Sequence, residues 1–140
     1  MSIPSVVEQK LSEGLWRRGR DSNVDVALTS LGINQESDFA DFYRQFWGPF
    51  HSSHVGHELL DIVEQDESIV SATQTVRNEF GLADRFIIVS CLTGLSVLVY
   101  DKESEMIFDV DFEGGEELLD SGKLDPRWGT WSQFLIAYFS

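Results

Sequence analysis

Residues 85–112 read RFIIVSCLTGLSVLVYDKESEMIFDVDF, and this stretch decides the fold. Two runs of β-branched and aromatic residues, Arg85–Leu92 and Leu95–Tyr100, flank Thr93-Gly94, a spacing that predicts a tight hairpin. Their near-continuous apolarity predicts adjacent antiparallel strands in the sheet interior, covered on both faces. Met106–Phe112 alternates instead. Met106, Phe108, Val110 and Phe112 share one face, while Ile107, Asp109 and Asp111 share the other. That pattern predicts a strand with one wet face, entered through a polar turn at Lys102–Ser104.

Outward from the hairpin the period changes. Ile69, Ala72, Val76 and Phe80 mark a helix stopped by Gly81. His57–Val63 is compatible with strand or helix, and strand is the preferred reading. Phe39, Phe42, Tyr43 and Phe46 place four aromatics on one helical face, with Ser37 or Asp38 as cap and Gly48-Pro49 as stop. A short helix is expected over Val24–Leu31, closed by Gly32. Val7, Leu11 and Leu15 predict an opening helix over Val6–Arg18, its end capped by Arg17, Arg18, Gly19 and Arg20. On the other side, Glu116–Lys123 suggests a short helix. Trp128, Trp131, Phe134, Leu135 and Tyr138 predict a final amphipathic helix. Helices, an antiparallel meander, then a closing helix make an α+β fold, read as one domain over residues 1–140.

Charge bounds the partners. Twenty-four acidic residues against ten basic ones give a formal charge of −14. Such a surface repels nucleic acid and an anionic membrane face, and it attracts a basic protein. The start lacks a charged segment followed by an apolar one, and no apolar stretch approaches spanning length, so a cytoplasmic protein is expected. The single Cys91 excludes an internal disulfide and reads as a small buried hydrophobe.

The common catalytic signatures are missing: no Walker loop, no dinucleotide fingerprint, no Gly-x-Ser-x-Gly elbow and no Cys-x-x-Cys. Two constellations remain. His51, His54 and His57 recur every three residues, with Glu58 as a further ligand or base. The zinc-protease helix would need a second histidine where Asp61 stands, and Ser52, Ser53 and Gly56 break any helix here. A polar loop without a zinc site is expected. The second constellation is the run Asp101, Glu103, Glu105, Asp109, Asp111, Glu113, Glu116, Glu117 and Asp120, opposed only by Lys102. Asp109 and Asp111 side by side could hold a divalent cation or form an acid/base pair, but no histidine, lysine or nucleophile accompanies them in sequence. A solvated acidic face or a protein-docking face is the better account. The docking residues expected are Asp109, Asp111, Glu113, Glu116 and Glu117, followed by the His51–His57 loop and the Trp128–Trp131 region.

The order of elements resembles the SUKH superfamily. Leu31-Gly32-Ile33 followed by residues 39–48, FADFYRQFWG, resembles its leading signature, a leucine-glycine helix end before an aromatic helix. Residues 97–101 and 107–111 resemble its central hairpin, and residues 131–139 its closing helix, so the likeness spans about the last 110 residues. Members often carry Leu-Pro where this chain has Glu36-Ser37, and Asn-Gly where it has Trp47-Gly48. The resemblance implies an α+β domain without a catalytic role. Many bacterial members neutralise a cognate toxin, frequently a nuclease, and fungal members regulate cell-wall synthesis through protein contacts. The expectation is an immunity-type protein whose partner is a protein toxin, not nucleic acid or membrane. It would be a monomer or weak homodimer without cofactor or metal. The alternatives are a metal-dependent enzyme using the histidines or Asp109 and Asp111, and a regulatory protein-binding scaffold.

Overall fold

The stretch 85–112 supplies the three strands of the sheet, with the second of them at its centre. The computed structural model describes residues 3–12, 16–63, 67–92 and 96–140, so the Thr93-Gly94 turn lies outside the described residues. Strands β1 (Phe86–Ile88), β2 (Ser96–Asp101) and β3 (Ile107–Asp111) run antiparallel in the order β1-β2-β3. Ile87 faces Tyr100, and Leu98 faces Asp109. The fold is α+β, as the pattern of periods predicts.

β1 is shorter than its apolar run, and it is the outermost strand rather than an interior one. Val89 N–H still donates to the Leu98 carbonyl, but the Ser90 hydroxyl takes the Leu98 N–H at 2.7 Å. The Val89 carbonyl turns to the Leu60 N–H at 2.9 Å, and Cys91 N–H donates to the Glu58 carbonyl at 3.0 Å. The ladder therefore changes partner at Val89. Side chains of α4 (Ile69–Phe80) occupy the outer edge of β1: Ile88 N–H donates to Thr73 Oγ1 at 2.9 Å, and Arg77 donates to the Phe86 carbonyl. Full burial of β1 matches the sequence reading, although its position does not.

The helices follow their signals closely where a cap and a period coincide. Asp21 caps α2 (Ser22–Leu31), Ser37 caps α3 (Asp38–Gln45), and a Ser68–Ser71 capping box opens α4. Gly32 and Gly81 close α2 and α4 at φ of +69°, where other residues would be strained. α5 (Gly115–Asp120) and α6 (Trp131–Phe139, capped by Thr130) complete the chain. The opening helix α1 covers only Ser5–Leu11, and Arg17 pairs with Phe46 as an isolated bridge instead of extending it. His57–Val63 is neither helix nor regular strand. Leu59 alone bridges both Phe50 and Ser90.

One face of the sheet packs on α3 and α6 through an aromatic cluster. Trp131, 1% exposed, lies 4.7 Å from Phe39 and 5.5 Å from Tyr100, which itself stacks on Phe39 at 4.6 Å. The aromatic stripe of α3 is core, as its period implies. Phe80 of α4 stacks on Phe112 at 4.3 Å, closing the other face together with α5. No helix among the described residues is long and apolar enough to cross a membrane.

Candidate functional site

The carboxylates of residues 101–120 separate into two populations. Asp101 is 2% exposed and belongs to the interior, not to an acidic face. Arg85 grips it with two donors at 3.0 and 2.6 Å, Ser104 Oγ donates at 2.7 Å, and Glu103 N–H at 3.0 Å. Burial alone would push the Asp101 carboxyl up. These hydrogen bonds and the Arg85 charge outweigh that effect and hold it below the usual aspartate range.

Asp109, Asp111, Glu113, Glu116 and Glu117 gather where β3 runs into α5. Asp109 is half-buried and pairs with Arg127 at 2.9 Å, and the Arg127 guanidinium lies 4.4 Å over the Trp128 ring. Asp111 is exposed and accepts from Glu113 N–H at 3.0 Å. Glu116 turns back to accept from Gly114 N–H at 3.3 Å, while Glu113 and Glu117 stand in solvent. The Asp111 carboxyl lies against Gly115, where an added Cβ would sit 3.4 Å from its Cγ. Strand and helix carboxylates thus form one continuous corner. Arg127 was not visible as a counter-charge in the sequence, being eighteen residues from Asp109.

The histidine loop reaches the same corner. Phe50 and Leu59 bridge its ends, and the Tyr138 hydroxyl pins it: Leu59 N–H donates to it at 3.0 Å, and it donates to the Phe50 or His57 carbonyl, at 2.8 and 2.6 Å. Burial pushes that hydroxyl above its ordinary range and keeps it a donor. His57 Nδ1 faces the Val55 carbonyl at 3.2 Å and Nε2 faces Ser96 Oγ at 3.1 Å. In the neutral ring Nδ1 therefore bears the hydrogen and Nε2 accepts from Ser96. Ser96 sits opposite Asp111 in the sheet, so His57 flanks the acidic corner on one side as Trp128 flanks it on the other. His51 turns toward Glu58 at 3.3 Å, and His54 is exposed. Among the described residues, no three His, Cys, Asp or Glu side chains are placed to hold a metal ion.

Arg17, Arg18 and Arg20 do not cap α1; they line a cavity with Asp21, Trp47, Asp61 and Val63. Arg18 and Asp61 form an ion pair with side chains only 7% and 2% exposed. Asp61 also accepts from Gly48 N–H at 3.0 Å and Val63 N–H at 3.2 Å. Gly48 allows that turn, because a Cβ there would lie 2.9 Å from the Phe50 ring. Arg18 Nη1 is buried, and no described atom accepts from it, a deficit of about 1–3 kcal/mol for a buried donor. No sequence spacing announces an arginine and an aspartate meeting across forty-three residues.

Comparison of the chain with protein-family models gives no match, and neither does comparison with curated proteins.

Proposed function

We propose that this protein is an immunity-type inhibitor that binds a basic, nucleic-acid-acting toxin domain through the β3–α5 corner. The observation that carries the reading is the composition of that corner. Exposed carboxylates of Asp111, Glu113 and Glu117 are framed by His57 and by the Arg127–Trp128 pair. Carboxylates in water steer a cationic partner toward the surface, and a partly buried tryptophan beside them offers an apolar anchor. A cleft built to hold nucleic acid presents the complementary charge.

The experiment is co-expression with the product of the adjacent gene. A neutralised toxin restores growth, and the two proteins elute as one complex whose affinity falls as salt rises. Growth arrest unaffected by this chain, with no complex at low salt, refutes the proposal.

A further inference from the structure

Ring, carboxylate and guanidinium occur together three times among the described residues. Arg17 lies 5.0 Å over the Phe46 ring and pairs with Glu8. Arg85 lies 5.4 Å over Phe86 and pairs with Asp101. Arg127 lies 4.4 Å over Trp128 and pairs with Asp109. In each, a carboxylate holds the cation that the ring face attracts.

A fourth place has the ring and the carboxylates without the cation. Phe80, the last residue of α4, stacks on Phe112, with centroids 4.3 Å apart and planes 16° from parallel. Phe112 takes one face of the ring, yet Phe80 remains 39% exposed. Phe112 stands between Asp111 and Glu113, and Glu79 precedes Phe80. All three carboxylates are exposed and ion-paired to no described cation. The negative end of the α4 dipole adds to their field. Arg77, the one cation of α4, donates to the Asp84 and Phe86 carbonyls, and residues 103–122 contain no lysine or arginine. Residues 1–2, 13–15, 64–66 and 93–95 contain none either, so no side chain outside the described residues supplies the cation.

These surroundings select the occupant. An apolar side chain laid on Phe80 would strip water from unpaired carboxylates, which is costly. A lysine ammonium is strongly hydrated and has no plane to lay on the ring. A guanidinium is planar and more weakly hydrated, and it satisfies ring and carboxylate at once, as Arg127 does with Trp128 and Asp109.

We propose that Phe80, backed by Phe112, receives an arginine side chain of the basic partner, with Glu79, Asp111 and Glu113 as its counter-charge. This contact deepens the toxin-binding reading and rests on it. The carboxylates steer the partner, and the ring decides which cation is kept.

End-blocked nona-arginine and nona-lysine peptides are the probes, titrated into the full chain by calorimetry. Both should bind at low salt, the arginine peptide more tightly. Phe80→Leu should cut the arginine affinity by about threefold, the scale of one exposed cation–π contact, and leave the lysine affinity unchanged. Phe80→Tyr keeps a ring and should keep the parental preference. The ring protons of Phe80 should shift further with nona-arginine than with nona-lysine. The proposal falls if the parent binds both peptides equally, if Phe80→Leu keeps the preference, or if Phe80→Tyr loses it as Phe80→Leu does. Asp111→Lys with Glu117→Lys tests the reading beneath it. Weakening of both peptides together upholds the acidic corner whatever the ring does; parental binding of both refutes the corner and the proposal with it.

Discussion

Asp61 and Asp101 on one hand, and the Asp109–Glu117 corner on the other, put the same functional group to opposite uses. Each of the first two is drawn inside beside an arginine and fills its oxygens with N–H or O–H donors. Of the carboxylates at the corner, Asp109 is half-buried against Arg127, while Asp111, Glu113 and Glu117 remain in water. Taking a carboxylate out of water is costly unless its partners are in place, so truncating a partner inside exposes the full penalty. Outside, water supplies the partners and the fold is indifferent. Net charge counts these groups alike, although only the second population is available to a partner.

The largest effect is expected at the buried pair. Arg18→Ala leaves Asp61 buried and uncompensated, and urea unfolding should register a loss of about 3–5 kcal/mol. A second substitution sharpens the point. Arg18→Met with Asp61→Asn removes both charges yet keeps a carbonyl oxygen for Gly48 N–H, and it should recover part of that loss. If Arg18→Ala unfolds within about 0.5 kcal/mol of the parent, the distinction between the two regions collapses.

Asp101→Asn is the intermediate case. The variant keeps one acceptor oxygen and loses the charge opposite Arg85, at an expected cost of about 1–3 kcal/mol near neutral pH. The sign of its pH dependence follows from the lowered folded value of Asp101. Its contribution is complete above the ordinary aspartate value of about 3.9 and is lost as pH falls through the lower folded value. The parent should therefore lose its advantage over Asp101→Asn on acidification below about pH 4. Equal stability of the two proteins at pH 7, by thermal or urea unfolding, would remove Asp101 from the interior population.

Much of the fold was legible because local signals agreed with each other. α4 carries a period of apolar residues from Ile69 to Phe80 and a glycine at its end, and its bounds follow from them. β3 declares its apolar face by alternation, but the face read as wet is covered at Ile107, which is fully buried beside its bridge partner Trp128, and exposed only at Asp111. The failures share a cause, namely partners distant in sequence. The period of Val7 and Leu11 is helical only to Leu11, where α1 ends; Leu15 lies outside the described residues, and Arg17 and Arg18 answer to Phe46 and Asp61. The apolar run beginning at Arg85 gave no hint that the Ser90 hydroxyl would capture the Leu98 N–H. Of the candidate docking residues, composition located the carboxylates. Their neighbourhood to His57 and Trp128 required the register of Ser96 with Asp111 and the Arg127 pairing.

The smallest effect on stability, and the largest on association, is expected at the corner. Asp111→Lys with Glu117→Lys changes the charge by four units where the side chains are exposed and ion-paired to no described cation. Asp111 does accept from Glu113 N–H at 3.0 Å, but that bond lies in an exposed turn where water substitutes for it. Unfolding free energy should stay within about 0.5 kcal/mol of the parent. Association with a basic toxin depends on the same charges through the long-range field, so its rate constant should fall and its salt dependence should flatten. Asp109→Lys is a poorer probe, since it also sets Arg127 against a like charge and disturbs the contact with Trp128. Stopped-flow association at two ionic strengths, alongside urea unfolding of the same variants, separates the cases. A doubly reversed protein that folds, binds at the parental rate and shows parental salt dependence moves the docking face away from β3 and α5. Variants at His54 and Trp128 would then show which flank carries the contact.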